Sequence, residues 1–232
     1  MSKTALVTGA TSGIGMAIAD MLIQDGWQVY GVGRDITKCT LCEERFHPIA
    51  CDLLNDKERS AALAGVPKEI DLLVNNAGAA YYGMHEEINE NKIVEMVKID
   101  LEMPMILCAQ YMRGLRKCHG TIVNICSVTA LGPSTHAAVY GACKAGLLHF
   151  SRTLFAENRK FGVNVAAILP DMTVTDLYRN ADFEADEATG CSLDPEDVAD
   201  AVRYVLQSKE GVCVNEIVLR PQLHRIQRKC GK

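Results

Sequence analysis

Short apolar runs bounded by turn residues recur along the chain, and amphipathic stretches of helix length fill the intervals between them. The runs predict strands at 4–8, 28–32, 47–51, 70–74, 120–126, 164–168 and 212–218. The intervals predict helices near 13–25, 55–64, 88–113, 138–159 and 194–208. Parallel strands need a crossover, usually helical, so the alternation implies an α/β fold: a doubly wound parallel sheet covered on both faces. No repeat or Pro/Gly/Ser linker breaks the pattern, and residues 1–232 read as one domain. The longest irregular piece, 171–192, carries Asp182, Glu184, Asp186 and Glu187 and reads as a substrate lid or a solvated loop.

Composition narrows the function. With 24 Lys and Arg against 29 Asp and Glu the net charge is −5, which lacks the basic footprint of a nucleic-acid binder. No apolar run reaches membrane-spanning length and no signal-peptide core follows the first residues, so a cytoplasmic protein without membrane contact is expected. Residues 220–232 hold five of the basic residues and no acid, leaving −10 on the remainder; this tail reads most simply as a solvated end, with an anion or partner site as the alternative. Ten cysteines without an export signal read as reduced thiols. The Cys39/Cys42 pair lacks a second pair of ligands at zinc spacing, so no metal is expected.

The first strand runs directly into Thr8-Gly9-Ala10-Thr11-Ser12-Gly13-Ile14-Gly15, which opens a helix with Ile14, Ala17, Ile18, Met21 and Leu22 on its apolar face. Glycines permit a tight turn and close backbone approach, and the unpaired N–H groups of a helix start attract a pyrophosphate, so a dinucleotide is the expected occupant. After the second strand, Gly33-Arg34 favours NADP(H), because arginine pairs with a 2′-phosphate. Asp35 leaves NAD open, since it could approach the ribose or pair with Arg34.

Tyr140 and Lys144 stand four apart in a helical stretch and share a face, where an ammonium favours phenolate and moves the tyrosine toward proton exchange near neutrality. Ser127 ends a strand, where parallel sheets place ligands, and its hydroxyl can hold a carbonyl oxygen.

Jointly these residues resemble the short-chain dehydrogenase/reductase family, through TGATSGIG at 8–15, Asp52, Asn75-Asn76-Ala77-Gly78, Ser127, Tyr140-x-x-x-Lys144, and Pro170 followed by Thr175. The resemblance implies a Rossmann-like seven-stranded sheet in order 3-2-1-4-5-6-7, hydride transfer between nicotinamide and an alcohol or carbonyl, and a homodimer or homotetramer. By position it implies Tyr140 as general acid/base, Lys144 as its partner on the nicotinamide ribose, and Ser127 on the reacting oxygen. It also assigns Asp52 to the adenine, Asn76, Ala77 and Gly78 to the adenosine ribose, and Thr175 to the carboxamide.

The family's fourth catalytic residue is usually an Asn whose main-chain carbonyl holds a relay water; Asp100 stands there. Pro104, four residues on, has no N–H to take that carbonyl, which is therefore expected to stay free. The added carboxylate is expected to cancel part of the Lys144 effect on Tyr140. Asp171 replaces a common glycine after Pro170 and is expected at the substrate mouth, with Tyr178, Phe183 and Leu193 as lid residues. The C-terminal region resembles NADP-dependent reductases of 3-hydroxy acids, hydroxy amino acids and assorted carbonyls. Hydroxysteroid alcohols and 3-oxoacyl thioesters are alternative substrates, and a dinucleotide-binding sensor without turnover is the contrasting class.

Overall fold

Strand residues alternate between two buried faces, as a sheet covered on both sides demands. In β1 (Thr4–Thr8), Ala5 and Val7 pack with Ile18 and Leu22 of α1 (Gly13–Gln24) and Val198 and Val202 of α6 (Pro195–Leu206), whereas Leu6 joins the opposite core. That second core holds Leu107, Tyr111 and Leu115 of α4 (Met103–Cys118), all at most 1% exposed. Burying each such side chain contributes about 1.5–3 kcal/mol.

The computed structural model describes residues 2–41 and 43–229. Cys42, half of the cysteine pair, and tail residues 230–232 lie outside them. The remaining strands of the main sheet are β2 (Gln28–Gly33), β3 (Phe46–Ala50), β4 (Leu72–Asn75), β5 (Thr121–Ile125), β6 (Asn164–Pro170) and β8 (Glu216–Leu219). They form one parallel seven-stranded sheet in the order β3-β2-β1-β4-β5-β6-β8, the doubly wound arrangement expected. Its carboxyl ends meet at one edge, where the loops that hold the site emerge.

Three local features differ from expectation. The 88–113 stretch is α3 (Glu90–Val97) and α4 joined by a π-helical turn, Lys98–Glu102. Pro104 supplies no amide, and Met103 N–H bonds five residues back to Lys98 O, so the chain widens at Asp100. Segment 171–192 is partly ordered: it contains a short strand, β7 (Phe183–Ala185). The described part of the basic tail is exposed but paired, not a free end. Its residues Ile226–Arg228 form β9, antiparallel to β7, with Phe183 opposite Arg228 and Ala185 opposite Ile226. Lys229 Nζ locks the pair by donating to Tyr178 O (2.6 Å) and Ala181 O (3.2 Å).

Among the described residues no helix is long and apolar enough to cross a membrane, and no cluster of His, Cys, Asp and Glu could hold a metal. The cysteines there are free thiols.

Candidate active site

The turn after β1 is shaped by what its glycines exclude. Gly9 and Gly13 hold φ of 67° and 50°, in the region that favours glycine. A Cβ on Gly15 would meet Gly9 O at 2.1 Å, so no larger residue fits at this crossing of turn and helix. Thr11 is buried beneath Gly33, where a Cβ would meet it at 2.4 Å. Ser12 precedes the helix in extended conformation, and its side chain caps no backbone N–H.

This turn floors a cleft of about 950 Å³. Gly9, Thr11, Ser12, Gly13 and Ile14 line it, as do Arg34 and Asp52 after the next two strands. Asn76, Ala77 and Gly78 line it after β4, with Asn76 Nδ2 donating to Thr8 O at 2.9 Å and so tying the two loops together. Thr175 stands across from Gly13, whose added Cβ would meet its methyl at 3.1 Å. Asp35 turns from Arg34 to accept from Thr37 N (3.0 Å), and those hydrogen bonds hold its carboxyl below the usual range. Arg34 is left exposed at the cleft edge without a carboxylate partner among the described residues. A bare main-chain turn at a helix start with a guanidinium nearby fits the phosphates of a dinucleotide.

The reactive side chains open on the same cleft. Ser127 stands two residues beyond β5 and turns its Oγ to accept from Thr129 N at 3.2 Å. Tyr140 and Lys144 share the buried face of α5 (Ala138–Asn158), with the ammonium 5.5 Å from the phenol ring centroid. Lys144 Nζ donates to Ile125 O at 3.0 Å. Asp100 is fully buried: Oδ1 lies 3.1 Å from Lys144 Nζ, and Oδ2 accepts from Ala79 N at 3.2 Å. Gly78 makes room for it, since a Cβ there would meet Oδ1 at 2.7 Å.

Burial pushes the Asp100 carboxyl up, against the pull of Lys144 and of the Ala79 N–H. Tyr140 is held well above the ordinary phenol range by burial first, then by Asp100 and Tyr178, while a hydrogen bond with Ser127 pulls it down. The cation beside the phenol is thus shared with a buried acid.

Of the lid residues named from the sequence, Tyr178 and Phe183 line the cleft, whereas Leu193 is buried in a bridge to Thr173. Asp171 lines the mouth with its side chain engaged by Met172 N (2.8 Å) and His224 (3.2 Å). Sequence reasoning missed Tyr82, whose ring stands 6.3 Å from Tyr140, 6.0 Å from Tyr178 and 5.0 Å from Phe183. Arg220, His224 and Arg228 of the tail, not singled out from the sequence although an anion site was the alternative reading of that segment, line the same cleft. The tail's lack of acids was the available signal.

A model of the short chain dehydrogenase family matches residues 3–186. The chain belongs to that family and is an oxidoreductase of its class. It is similar to a serine 3-dehydrogenase of Rhizobium radiobacter, with 30% identity over 95% of this chain and 94% of the relative. A probable NADP-dependent dehydrogenase of Haemophilus influenzae is 30% identical, again over 95% and 94%. Among solved structures, the closed form of a serine dehydrogenase complexed with NADP+ matches with a TM-score of 0.85 and 26% identity, covering 99% of this chain and 98% of that one.

Proposed function

We propose that the protein is an NADP(H)-dependent oxidoreductase that interconverts a small carbonyl and its secondary or primary alcohol. The observation that carries this reading is the opening of Ser127, Tyr140 and Lys144 onto one cleft with the glycine turn and Arg34. Arg34, with Asp35 turned away to its cap, supports the 2′-phosphorylated cofactor over NAD. Relatives named for NADP and for serine support NADP and a 3-hydroxy acid or a related small carbonyl.

When bound, the nicotinamide supplies or accepts the hydride. The chain's own residues handle the oxygen. Ser127 Oγ holds the substrate oxygen, and Tyr140 gives it a proton in reduction or takes one in oxidation. A phenol held above its ordinary range keeps its proton at neutral pH and serves reduction better than oxidation. Asp52, Asn76, Ala77 and Gly78 bind toward the adenosine end and Thr175 toward the nicotinamide end. The aromatic rings of Tyr82, Tyr178 and Phe183 exclude water from the reacting end.

We read the active form as a homodimer or homotetramer; an apolar groove of about 320 Å³ lined by Val97, Leu101, Val139 and Cys143 supports association. Free thiols at described positions support a reducing, cytoplasmic setting.

Tyr140→Phe tests the assignment. Across a panel of small carbonyls with NADPH or NADH, the variant is expected to lose turnover at least about a hundredfold, as removal of a general acid does. NADPH binding, followed by nicotinamide fluorescence, should change less than about threefold. Retained turnover, or wild-type protein that binds NADPH and turns over nothing in the panel, would defeat the reading.

A further inference from the structure

Two strands far apart in sequence build the mouth of the reacting end. Phe183 of β7 packs 5.0 Å from Tyr82, which stands 6.3 Å from Tyr140. Directly opposite Phe183 in the antiparallel register is Arg228 of β9. Opposed residues of such a pair emerge on the same face, so Arg228 leaves the ribbon on the side that carries Phe183 toward the phenol. Both line the cleft, together with Ile226 two residues away on the same face.

Arg228 is exposed and has no carboxylate partner among the described residues. The acids of the mouth do not reach it: Asp171 is engaged by His224 and Met172 N–H, and Asp176 and Asp182 form no ion pair among the described residues. Arg220, at the carboxyl end of β8, lines the cleft equally unpaired. The backbone beneath Arg228 is fixed, because the adjoining Lys229 is anchored to Tyr178 O and Ala181 O and its N–H bonds to Asp182 O at 2.9 Å. A guanidinium on a pinned strand at the rim of a reaction site recognises planar or tetrahedral oxyanions through paired N–H groups.

We infer that Arg228 is a specificity-determining residue that binds the anionic end of the substrate, a carboxylate or phosphate ester, while the carbonyl lies at Ser127 and Tyr140. The inference rests on the oxidoreductase reading and deepens it by naming the residue that selects an anionic substrate. The chain's C-terminal segment becomes part of the substrate site rather than an appendage.

The test pairs substrates that differ in the anion: 4-oxobutanoate against butanal, and glyceraldehyde 3-phosphate against glyceraldehyde, each with NADPH. Wild type should prefer the anionic member of at least one pair; the first pair reports a carboxylate and the second a phosphate. Arg228→Gln should raise KM for the preferred anion about tenfold to a hundredfold, the loss expected for a charge-assisted hydrogen bond. Its kcat/KM for the neutral partner and its affinity for NADPH should stay within about twofold, and Arg228→Lys should recover part of the loss. Equal losses on neutral and anionic members would make Arg228 merely structural. No preference for either anion in the wild type, or no change in Arg228→Gln, would overturn the assignment while turnover of the neutral aldehydes left the oxidoreductase reading standing. NADPH binding without turnover of any of the four would remove both.

Discussion

Asp100 decides how far Lys144 can act on Tyr140. Oδ2 accepts from the Ala79 N–H at 3.2 Å and Oδ1 lies 3.1 Å from the Lys144 ammonium, contacts that favour the charged acid against the burial that pushes its carboxyl up. A negative charge beside a phenol disfavours phenolate, so Asp100 raises Tyr140 and keeps it protonated to higher pH. Replacing it with Asn removes the charge and retains an acceptor for Ala79. In Asp100→Asn the alkaline limb of alcohol oxidation, kcat/KM against pH with NADP+, should therefore move down by about one unit or more. An unmoved limb would mean that Asp100 carries a proton and that burial alone holds the phenol. The sequence made the exchange of Asn for Asp visible and Pro104 hinted at a broken hydrogen-bond ladder. The side chain's direction was not legible, because it depends on the π turn and on the bare Cα of Gly78, a contact between residues 22 apart in the chain.

At the scale of elements, the strands β1, β2, β4, β5 and β6 were legible because each is a largely apolar run covered on both faces, and the half-exposed edge strand β3 because turn residues mark it out. The two-stranded β7–β9 ribbon was not. Its strands are three residues each, one acidic and one basic in surroundings, and their pairing joins residues more than forty apart. No local periodicity encodes such a partner. What holds the ribbon to the lid is specific: the Lys229 ammonium on two carbonyls of the turn that carries Tyr178. Lys229→Met keeps the stem and removes both bonds, at a local cost of about 1–3 kcal/mol given partial exposure. Amide exchange over Phe183–Ala185 should accelerate about tenfold or more in hydrogen-exchange mass spectrometry, with NADPH affinity and exchange in α1 unchanged. Unaltered exchange at the ribbon would show that the strand pairing alone secures the lid.

For the whole molecule, the buried layer on the α4–α5 side of the sheet encloses ionisable groups that bind protons more tightly folded than unfolded. Burial pushes the Cys108 thiol from its ordinary 9.0 up to about 12, only partly offset by a hydrogen bond from Asn75, and pushes the Cys126 thiol from 9.0 up to about 12. Groups whose values rise on folding contribute stability that is complete below their unfolded values and lost as pH climbs toward the folded ones. The window is therefore pH 9 to 12, with a slope of about 1.4 kcal/mol per pH unit for each thiol. The two slopes together remove several kcal/mol within two units, a large share of the about 5–15 kcal/mol typical of a domain. Thermal unfolding followed by circular dichroism should thus show a melting temperature that is level from pH 7 to about 8.5 and then falls steeply. Cys108→Ala, which removes one titrating thiol and leaves a small apolar side chain in the α4 core, should lower the melting temperature at neutral pH while flattening the alkaline decline. Parallel profiles for variant and wild type would sink the linkage and point instead to unfolding driven by the surface acids.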